Sequence, residues 1–285
     1  MKAAFIGLGI MGAPIARNML KAGIELLVND ISKEAVEKVV SYGGVFAEYE
    51  EIGQCDVIFM ILPNGKISRS VLFDAGLADK TKEGALICDL SSQSPGEATD
   101  TAQKLASRGI RYVDAPVSGG ETKAISGELS IMVGGDKKDF DQLSLYFLSF
   151  GKKISLMGRV GTGNAAKLAN QIITNVTIGA IAEAVNLAEK AGIEPKKLFD
   201  AIRDGAAGSA MMNTRAEKIV ARDYKPGAKI SINKKDMGNV IAFAESQNLS
   251  LPLAESYFET LRRLSEMGLD DLDVSAVPEY YTRQK

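Results

Sequence analysis

Residues 3–12 read AAFIGLGIMG, and their spacing decides the first half of the chain. Ala3 to Ile6 is a short apolar run, the signature of a buried strand. Gly7, Gly9 and Gly12 follow in G-x-G-x-x-G spacing, and Met11 to Leu20 then shows helical periodicity ending near Gly23. In such a turn the first glycine lets the chain bend, the second lets backbone approach a pyrophosphate, and the third lets helix and strand pack closely. The helix N-terminus attracts the phosphate charge. Leu26 to Asn29 reads as a second strand and Asp30 follows it, 18 residues past Gly12. An acid there accepts hydrogen bonds from a ribose diol. The strand, glycines, helix, strand and acid together predict a dinucleotide site formed by Gly7, Leu8, Gly9, Ile10, Met11, Gly12, Asn29 and Asp30. A carboxylate at Asp30 repels a 2′-phosphate and Ile31 is not an arginine, so NAD is favoured over NADP.

The alternation of apolar runs and helical segments continues beyond Asp30. Strands are expected at 56–62, 85–90, 111–115, 129–133 and 153–156, which implies a mainly parallel sheet covered on both faces. Ligands of such sheets sit beyond the carboxyl ends of the strands. Pro63 and Asn64 after the strand-end Leu62, then Ser91 and Ser92, then Ser118, Gly119 and Gly120 all follow strand ends. Each segment is an ordinary turn when taken alone; together they are candidates to line one crevice. From about Gly161 no strand pattern remains. Helices are expected over 164–191, 195–202, 210–221, 234–247 and 252–267. The expected division is an α/β dinucleotide-binding domain over 1–162 and an all-α domain over 163–285.

The helix from Asn164 is apolar nearly all round and is expected to be largely buried between the domains. Asn164, Lys167, Asn170, Gln171 and Thr174 nevertheless share one face by 3- and 4-residue spacing. Two readings fit this patch. One is a solvent-facing helix start whose lysine pairs with a carboxylate; the other is a ligand-facing patch. The chain contains no histidine. On the second reading a protonated Lys167 is the available general acid for an alkoxide formed by hydride addition to a carbonyl. Asn170 would then hold the polar end of the substrate.

Composition excludes several alternatives. With 285 residues, 46% hydrophobic and 25% charged, the chain is an ordinary globular sequence long enough for two domains. A net charge of -2 without a basic tract argues against nucleic acid and against an acidic membrane surface. The first apolar run is too short for a signal peptide. The apolar stretch at 165–188 is interrupted by Lys167, Asn170, Gln171, Asn175 and Glu183, which argues against a membrane span. Cys55 and Cys88 read as buried reduced thiols, consistent with a cytoplasmic protein. Histidine-ligated metal sites are excluded, and no metal is expected.

Five ordered segments carry a resemblance. They are FIGLGIMGAPIARNML at 5–20, DLSS at 89–92, DAPVSGG at 114–120, GTGNAAKLANQ at 161–171 and KKDM at 234–237. By these the chain resembles the β-hydroxyacid dehydrogenase family, which is related to 3-hydroxyisobutyrate dehydrogenase. The match spans essentially the whole sequence. The segments at 118–137, 163–171, 207–209 and 275–281 are most similar to its tartronate semialdehyde reductase branch. The resemblance implies a Rossmann domain, a long interdomain helix and an all-α C-terminal domain that supports a homodimer or homotetramer. It implies NAD(P)-dependent, metal-free interconversion of a short 3-hydroxy acid and its semialdehyde, tartronate semialdehyde and glycerate first. Lys167 matches the family's catalytic lysine and Asn170 its partner. Ser118, Gly119 and Gly120 match the loop that binds the substrate carboxylate, whose N–H groups suit an anion. Ser92 matches a cofactor contact, and Lys235 a lysine that reaches the cofactor. Gln171 stands where many members carry a second asparagine, and Ala228 where many carry an aromatic; Met212, Asn213 and Arg215 lie near the region shaping substrate preference. The alternatives are 3-hydroxyisobutyrate dehydrogenase, a reductase of glyoxylate or succinic semialdehyde, or a non-catalytic NAD-binding sensor or scaffold. A 6-phosphogluconate-type decarboxylase is disfavoured, since no basic cluster for a sugar phosphate is seen.

Overall fold

The computed structural model describes residues 2–282. Residue 1 and residues 283–285, the outer ends of the two expected domains, lie outside the described residues. The chain forms two compact units that divide between Lys167 and Leu168.

The first unit is built on one nine-stranded sheet. Its strands are β1 (Ala3–Ile6), β2 (Leu26–Asn29), β3 (Val45–Phe46), β4 (Val57–Met60), β5 (Leu86–Asp89), β6 (Arg111–Asp114), β7 (Val117–Ser118), β8 (Leu129–Gly134) and β9 (Gly151–Gly158). They lie in the order β3-β2-β1-β4-β5-β6-β8-β7, with β9 on β8. Pairing is parallel except where β8 meets β6 and β7. Strands β1, β4 and β5 are buried at every position because both faces are covered. Successive side chains point to opposite faces. Phe5, Phe59 and Cys88 therefore join one core, with Met19, Phe147 and Phe150. Ile6, Ile58 and Ile87 join the other, with Leu72 and Leu105. The strand order reverses between β1 and β4, and this switch point places the Gly7 turn at the ligand-binding end of the sheet.

The parallel α/β fold agrees with the expected class. The expected boundaries of several strands run one or two residues too long, and β9 extends beyond the expected 153–156 at both ends. The antiparallel return through β7 had no expected counterpart. A two-residue strand carries too little alternation to be read from sequence.

The second unit is helical, with no extended strand among the described residues beyond one isolated bridge, Lys229 with Asp273. Its core joins Leu168, Ile178 and Ala182 of the long helix Thr162–Lys190 to Met237, Val240, Tyr257 and Leu261. Pro195, Pro252 and the Ser209 hydroxyl mark helix starts, as their chemistry favours. The helix expected at 234 starts earlier, as Ile230–Ser246. Its first N–H groups, on Ile230 and Ser231, donate to the carbonyls of Leu272 and Asp270 at 2.9 and 3.1 Å. Those partners lie 42 and 39 residues downstream, beyond the reach of any local start signal.

The long helix is less buried than its composition implies. Ile173 and Leu187 are 71% and 74% exposed, and Ala169 and Ala180 are exposed as well. Positions 173, 180 and 187 recur every seven residues, which makes one open apolar stripe. By length and composition alone this helix would pass as a membrane span. Some of its inward polar groups instead find partners within the protein, as Asn175 Nδ2 donates to the Gln171 carbonyl at 3.0 Å.

Candidate active site

The glycine loop divides its tasks as the spacing predicts. Gly7 has φ +93°, and a Cβ there would lie 2.2 Å from the Ile61 carbonyl oxygen. A Cβ on Gly12 would lie 1.8 Å from the Gly7 carbonyl oxygen, so strand and helix touch through bare backbone. Gly9 has no atom within 4 Å of that position. The middle glycine therefore faces open space, and a cavity of about 570 Å³ beside it is lined by Leu8, Gly9, Ile10, Arg17, Ser32 and Lys38. That is the arrangement a pyrophosphate needs: tight packing at the outer glycines and room at the middle one. This loop fits a dinucleotide.

Asp30 is already engaged. Its Oδ2 accepts from Leu8 N at 2.6 Å and its Oδ1 from Ser32 N at 2.7 Å. A carboxylate oxygen accepts more than one bond, so each keeps capacity for a ribose hydroxyl. Asn29 is committed elsewhere, since its Nδ2 donates to the Ala47 carbonyl at 2.8 Å and ties β2 to the segment after β3.

The neighbouring strand ends are braced by groups that the motif reading left unassigned. The Ser91 hydroxyl accepts from Leu62 N at 2.8 Å and meets Ser68 Oγ at 3.1 Å, so Ser91 is turned inward. Ser92 beside it is half-buried and Pro63 exposed. Asn64 caps the helix Gly65–Arg69, its Oδ1 accepting from Ile67 N at 2.9 Å. Asp89 and Asp114, the last residues of β5 and β6, stand in register and are fully buried. Asp89 accepts from Ser91 N at 2.9 Å, Gln93 Nε2 at 3.0 Å and Tyr112 Oη at 3.2 Å. Asp114 accepts from Gly161 N and Asn164 N, both at 2.7 Å. Burial pushes the Asp89 carboxyl up, and it pushes Asp114 up to about 6 despite the hydrogen bonds that favour its ionised form. The available signal was an acid closing an apolar strand, twice; an unpaired carboxylate is rarely placed there without partners.

The polar patch of the long helix separates into inward and outward members. Asn164 is 0% exposed and turned into the first unit, bonded to Asp114. Lys167, one turn on, is half-buried. Ser118 is half-buried, and Gly119 and Gly120 are exposed at the turn into the helix Gly120–Ser126.

In the second unit Asn170 and Gln171 form a chain with Asp236. Gln171 Nε2 donates to Asp236 Oδ2 at 2.6 Å, and Asn170 Nδ2 donates to Gln171 Oε1 at 3.0 Å. A carboxylate only accepts, so Asp236 fixes which way both amides face. Gln171 has both ends of its amide occupied by protein and is buried. Lys235, in the second turn of its helix, pairs with Asp236 Oδ1 at 2.8 Å. Asp236 went unread in KKDM because its partner is 65 residues away. Among the described residues no cluster of acids and cysteines suits a metal ion.

Comparison with known proteins covers nearly the whole chain. Residues 2–158 match the family model described as the NAD binding domain of 6-phosphogluconate dehydrogenase. Residues 161–281 match the one described as NAD-binding of NADP-dependent 3-hydroxyisobutyrate dehydrogenase. The chain is 38% identical over 280 residues to 2-hydroxy-3-oxopropionate reductase of Escherichia coli, covering 97% of this chain and 96% of that one. It is 33% identical over 276 residues to L-threonate dehydrogenase of Cupriavidus necator, covering 95% and 93%. Among solved structures, the 3-hydroxyisobutyrate dehydrogenase of Mycobacterium tuberculosis with L-serine superposes with a TM-score of 0.90 at 30% identity, covering 100% and 99%. The chain belongs to the 3-hydroxyisobutyrate dehydrogenase-like family of β-hydroxyacid dehydrogenases, oxidoreductases that use NAD or NADP.

Proposed function

We propose that the protein reduces tartronate semialdehyde, which is 2-hydroxy-3-oxopropionate, to glycerate, with NADH as the favoured cofactor. The observation that carries this reading is a dinucleotide loop and a half-buried lysine, Lys167, in a chain without histidine. The 38% identity to the Escherichia coli reductase supports the substrate. The NAD preference rests on the Asp30 carboxylate at the end of β2, which disfavours a 2′-phosphate.

Reduced nicotinamide, when bound, supplies the hydride for the aldehyde carbon. The chain's own part is to hold the substrate and complete the proton balance. The N–H groups and hydroxyl of Ser118, Gly119 and Gly120 take the carboxylate. Asn170 holds a substrate oxygen, its amide oriented through Gln171 by Asp236. Lys167 gives a proton from its ammonium to the oxygen that becomes the new hydroxyl, and takes one back in the oxidative direction. Leu62, Pro63, Asn64, Ser92 and Lys235 complete the cofactor contacts. The open stripe of Ile173 and Leu187 supports a homodimer or homotetramer, and the two free buried cysteines, Cys55 and Cys88, support a cytoplasmic location.

The test is the initial rate of NADH oxidation with tartronate, methylmalonate and succinic semialdehydes. A kcat/KM for tartronate semialdehyde about 100-fold above the others, or roughly 2.7 kcal/mol of discrimination, sustains the assignment. Comparable rates on all three retain the reaction and discard the substrate. Lys167→Ala is expected to lower kcat about 10³-fold while the protein still binds NADH; undiminished turnover would remove the lysine from the mechanism. A second reading, oxidation of 3-hydroxyisobutyrate, is favoured by the similarity to the Mycobacterium tuberculosis enzyme. A dominant rate on methylmalonate semialdehyde would select it.

A further inference from the structure

The start of the long helix is capped only in part by its own neighbours, Thr162 N donating to the Arg159 carbonyl at 3.1 Å. The first N–H groups of a helix lack partners within it and usually find them in an adjacent Ser, Thr or Asp side chain. Here the acceptor comes from another strand. Asp114 Oδ1 accepts from Gly161 N at 2.7 Å, and Asp114 Oδ2 from Asn164 N at 2.7 Å and Asn164 Nδ2 at 3.1 Å. Asn164 passes the connection on, its Oδ1 accepting from Gln93 N at 3.0 Å beyond the end of β5. Two glycines permit this approach. A Cβ on Gly163 would lie 2.5 Å from the Met132 carbonyl oxygen, and one on Gly134 would lie 2.3 Å from Asp114 Oδ1. The first helical turn is thus keyed to the ends of β5, β6 and β8 by charge-assisted bonds and by backbone contact, in a place with no solvent to soften it.

Lys167 stands three residues after Asn164, on the same side of the helix one turn along. We propose that Asp114 and Asn164 are positioning residues for Lys167: by fixing the rotation and the axial place of the helix start, they set where the lysine ammonium meets the substrate oxygen. This rests on the reading of Lys167 as the proton donor. The function demands such a device because proton transfer needs heavy atoms within hydrogen-bond reach, and a misplacement of about 1 Å lowers turnover on the order of 10²-fold. A flexible four-carbon side chain supplies no such precision; its backbone must. The glycine loop that holds the dinucleotide lies at a different strand end and shares none of these hydrogen bonds. Loss of the clamp therefore lowers kcat more than cofactor affinity, the clamp meeting the proposed cofactor contacts only at Gln93, next to Ser92.

The experiment is a double-mutant cycle with tartronate semialdehyde, or whichever semialdehyde the chain turns over, and NADH. Asp114→Asn and Asn164→Ala are made alone and in combination with Lys167→Ala. Each single variant at 114 or 164 is expected to lower kcat about 10–100-fold, with the NADH dissociation constant, read by fluorescence, changed less than about 3-fold. In the Lys167→Ala background the same changes are expected to alter kcat by less than about 2-fold, because the group they position is gone. A second full loss on top of Lys167→Ala overturns the inference, as does a loss of NADH affinity equal to the loss of kcat. Should Asp114→Asn fail to fold by circular dichroism, Asn164→Ala carries the cycle alone, since it keeps the backbone bond from position 164 to Asp114. If Lys167→Ala is itself fully active, the lysine reading fails first, and that outcome is distinct from an additive cycle with an inactive Lys167→Ala.

Discussion

Asp114 in the first unit and Asp273 in the second are both fully buried, and both accept backbone N–H bonds, yet their acidities move in opposite directions. Burial pushes Asp114 up to about 6, because its donors, Gly161 and Asn164, are neutral. Burial opposes ionisation at Asp273 as well, but hydrogen bonds from Ala228 and Ser275 and the Arg215 charge bring it down to about 2. Arg215 Nη1 lies 3.0 and 3.2 Å from its two oxygens and Lys218 Nζ 3.4 Å from one. The difference separates two uses of a buried acid. Asp273 is a structural clasp, joining the helix Ala210–Ala221 to the 227–228 backbone and the turn Val274–Ala276. Asp114 holds a helix start without any counter-charge among its hydrogen bonds, a placement that loses stability and that a fold retains where position matters.

The largest effect is expected at the clasp. Asp273→Ala leaves the Arg215 charge and the N–H groups of Gly227 and Ala228 without their acceptor. A loss of about 3–5 kcal/mol of unfolding free energy is expected in urea denaturation, the range for breaking one side of a buried ion pair. A loss below about 1 kcal/mol would show that solvent replaces the acid there and would erase the contrast with Asp114.

The pH dependence sharpens the contrast, since the two signs oppose. The folded Asp114 binds its proton more tightly than the unfolded chain does. Its contribution to stability is complete below the ordinary value of 3.8 and is lost as pH rises through about 6. The folded Asp273 binds its proton more weakly. Its contribution is complete above 3.8 and is lost as pH falls toward about 2. Each amounts to roughly 2–3 kcal/mol at full extent. Denaturation of the wild type, Asp114→Asn and Asp273→Asn from pH 2.5 to 8 is expected to show differences from wild type that change in separate windows. Parallel curves for the two variants would mean that neither carboxylate titrates as its surroundings dictate. Asp89, also pushed up by burial, stays in both variants and does not enter the difference.

The same contrast explains what was legible in sequence. The glycine loop, the alternation of strands and the helical second half were readable because each is a local pattern: period two, period 3.6, or a fixed spacing of small residues. Lys167, Asn170 and the Ser118–Gly120 turn were picked out because their chemistry is conspicuous in apolar or glycine-rich surroundings. What escaped was every bond with a long reach. Asp114 with Asn164, Asp236 with Gln171, and Arg215 with Asp273 are separated by 50, 65 and 58 residues. Asn164 was grouped with Lys167 by helical spacing alone, although it is turned inward. Spacing fixes the side of the helix, and what each turn faces is decided by strands that spacing does not see. Ile173 and Leu187 show the converse, apolar residues that composition assigned to the interior and that lie on the outside.

The smallest effect is expected at a third carboxylate, Asp236, which resembles Asp273 in having a cation beside it and Asp114 in acting on a neighbour's geometry. As a carboxylate it forces Gln171 to present Nε2 to it and Oε1 to Asn170. Asp236→Asn keeps the shape and removes the constraint. Its own amide can then donate, Gln171 can reverse, and Asn170 loses its fixed orientation. About one hydrogen bond of substrate binding is at stake, or roughly 1 kcal/mol, so KM for the semialdehyde is expected to rise about 5-fold with kcat changed less than about 2-fold. Lys235→Met serves as the control. It removes the ion pair and a proposed cofactor contact but leaves the Asp236–Gln171–Asn170 chain, so KM for NADH is expected to rise while the semialdehyde KM at saturating NADH stays at the wild-type value. If instead the two variants raise it alike, the ion pair governs substrate binding and Asp236 belongs with Asp273 as a clasp. If only Asp236→Asn does, the acid acts through the amides, as Asp114 acts through the helix.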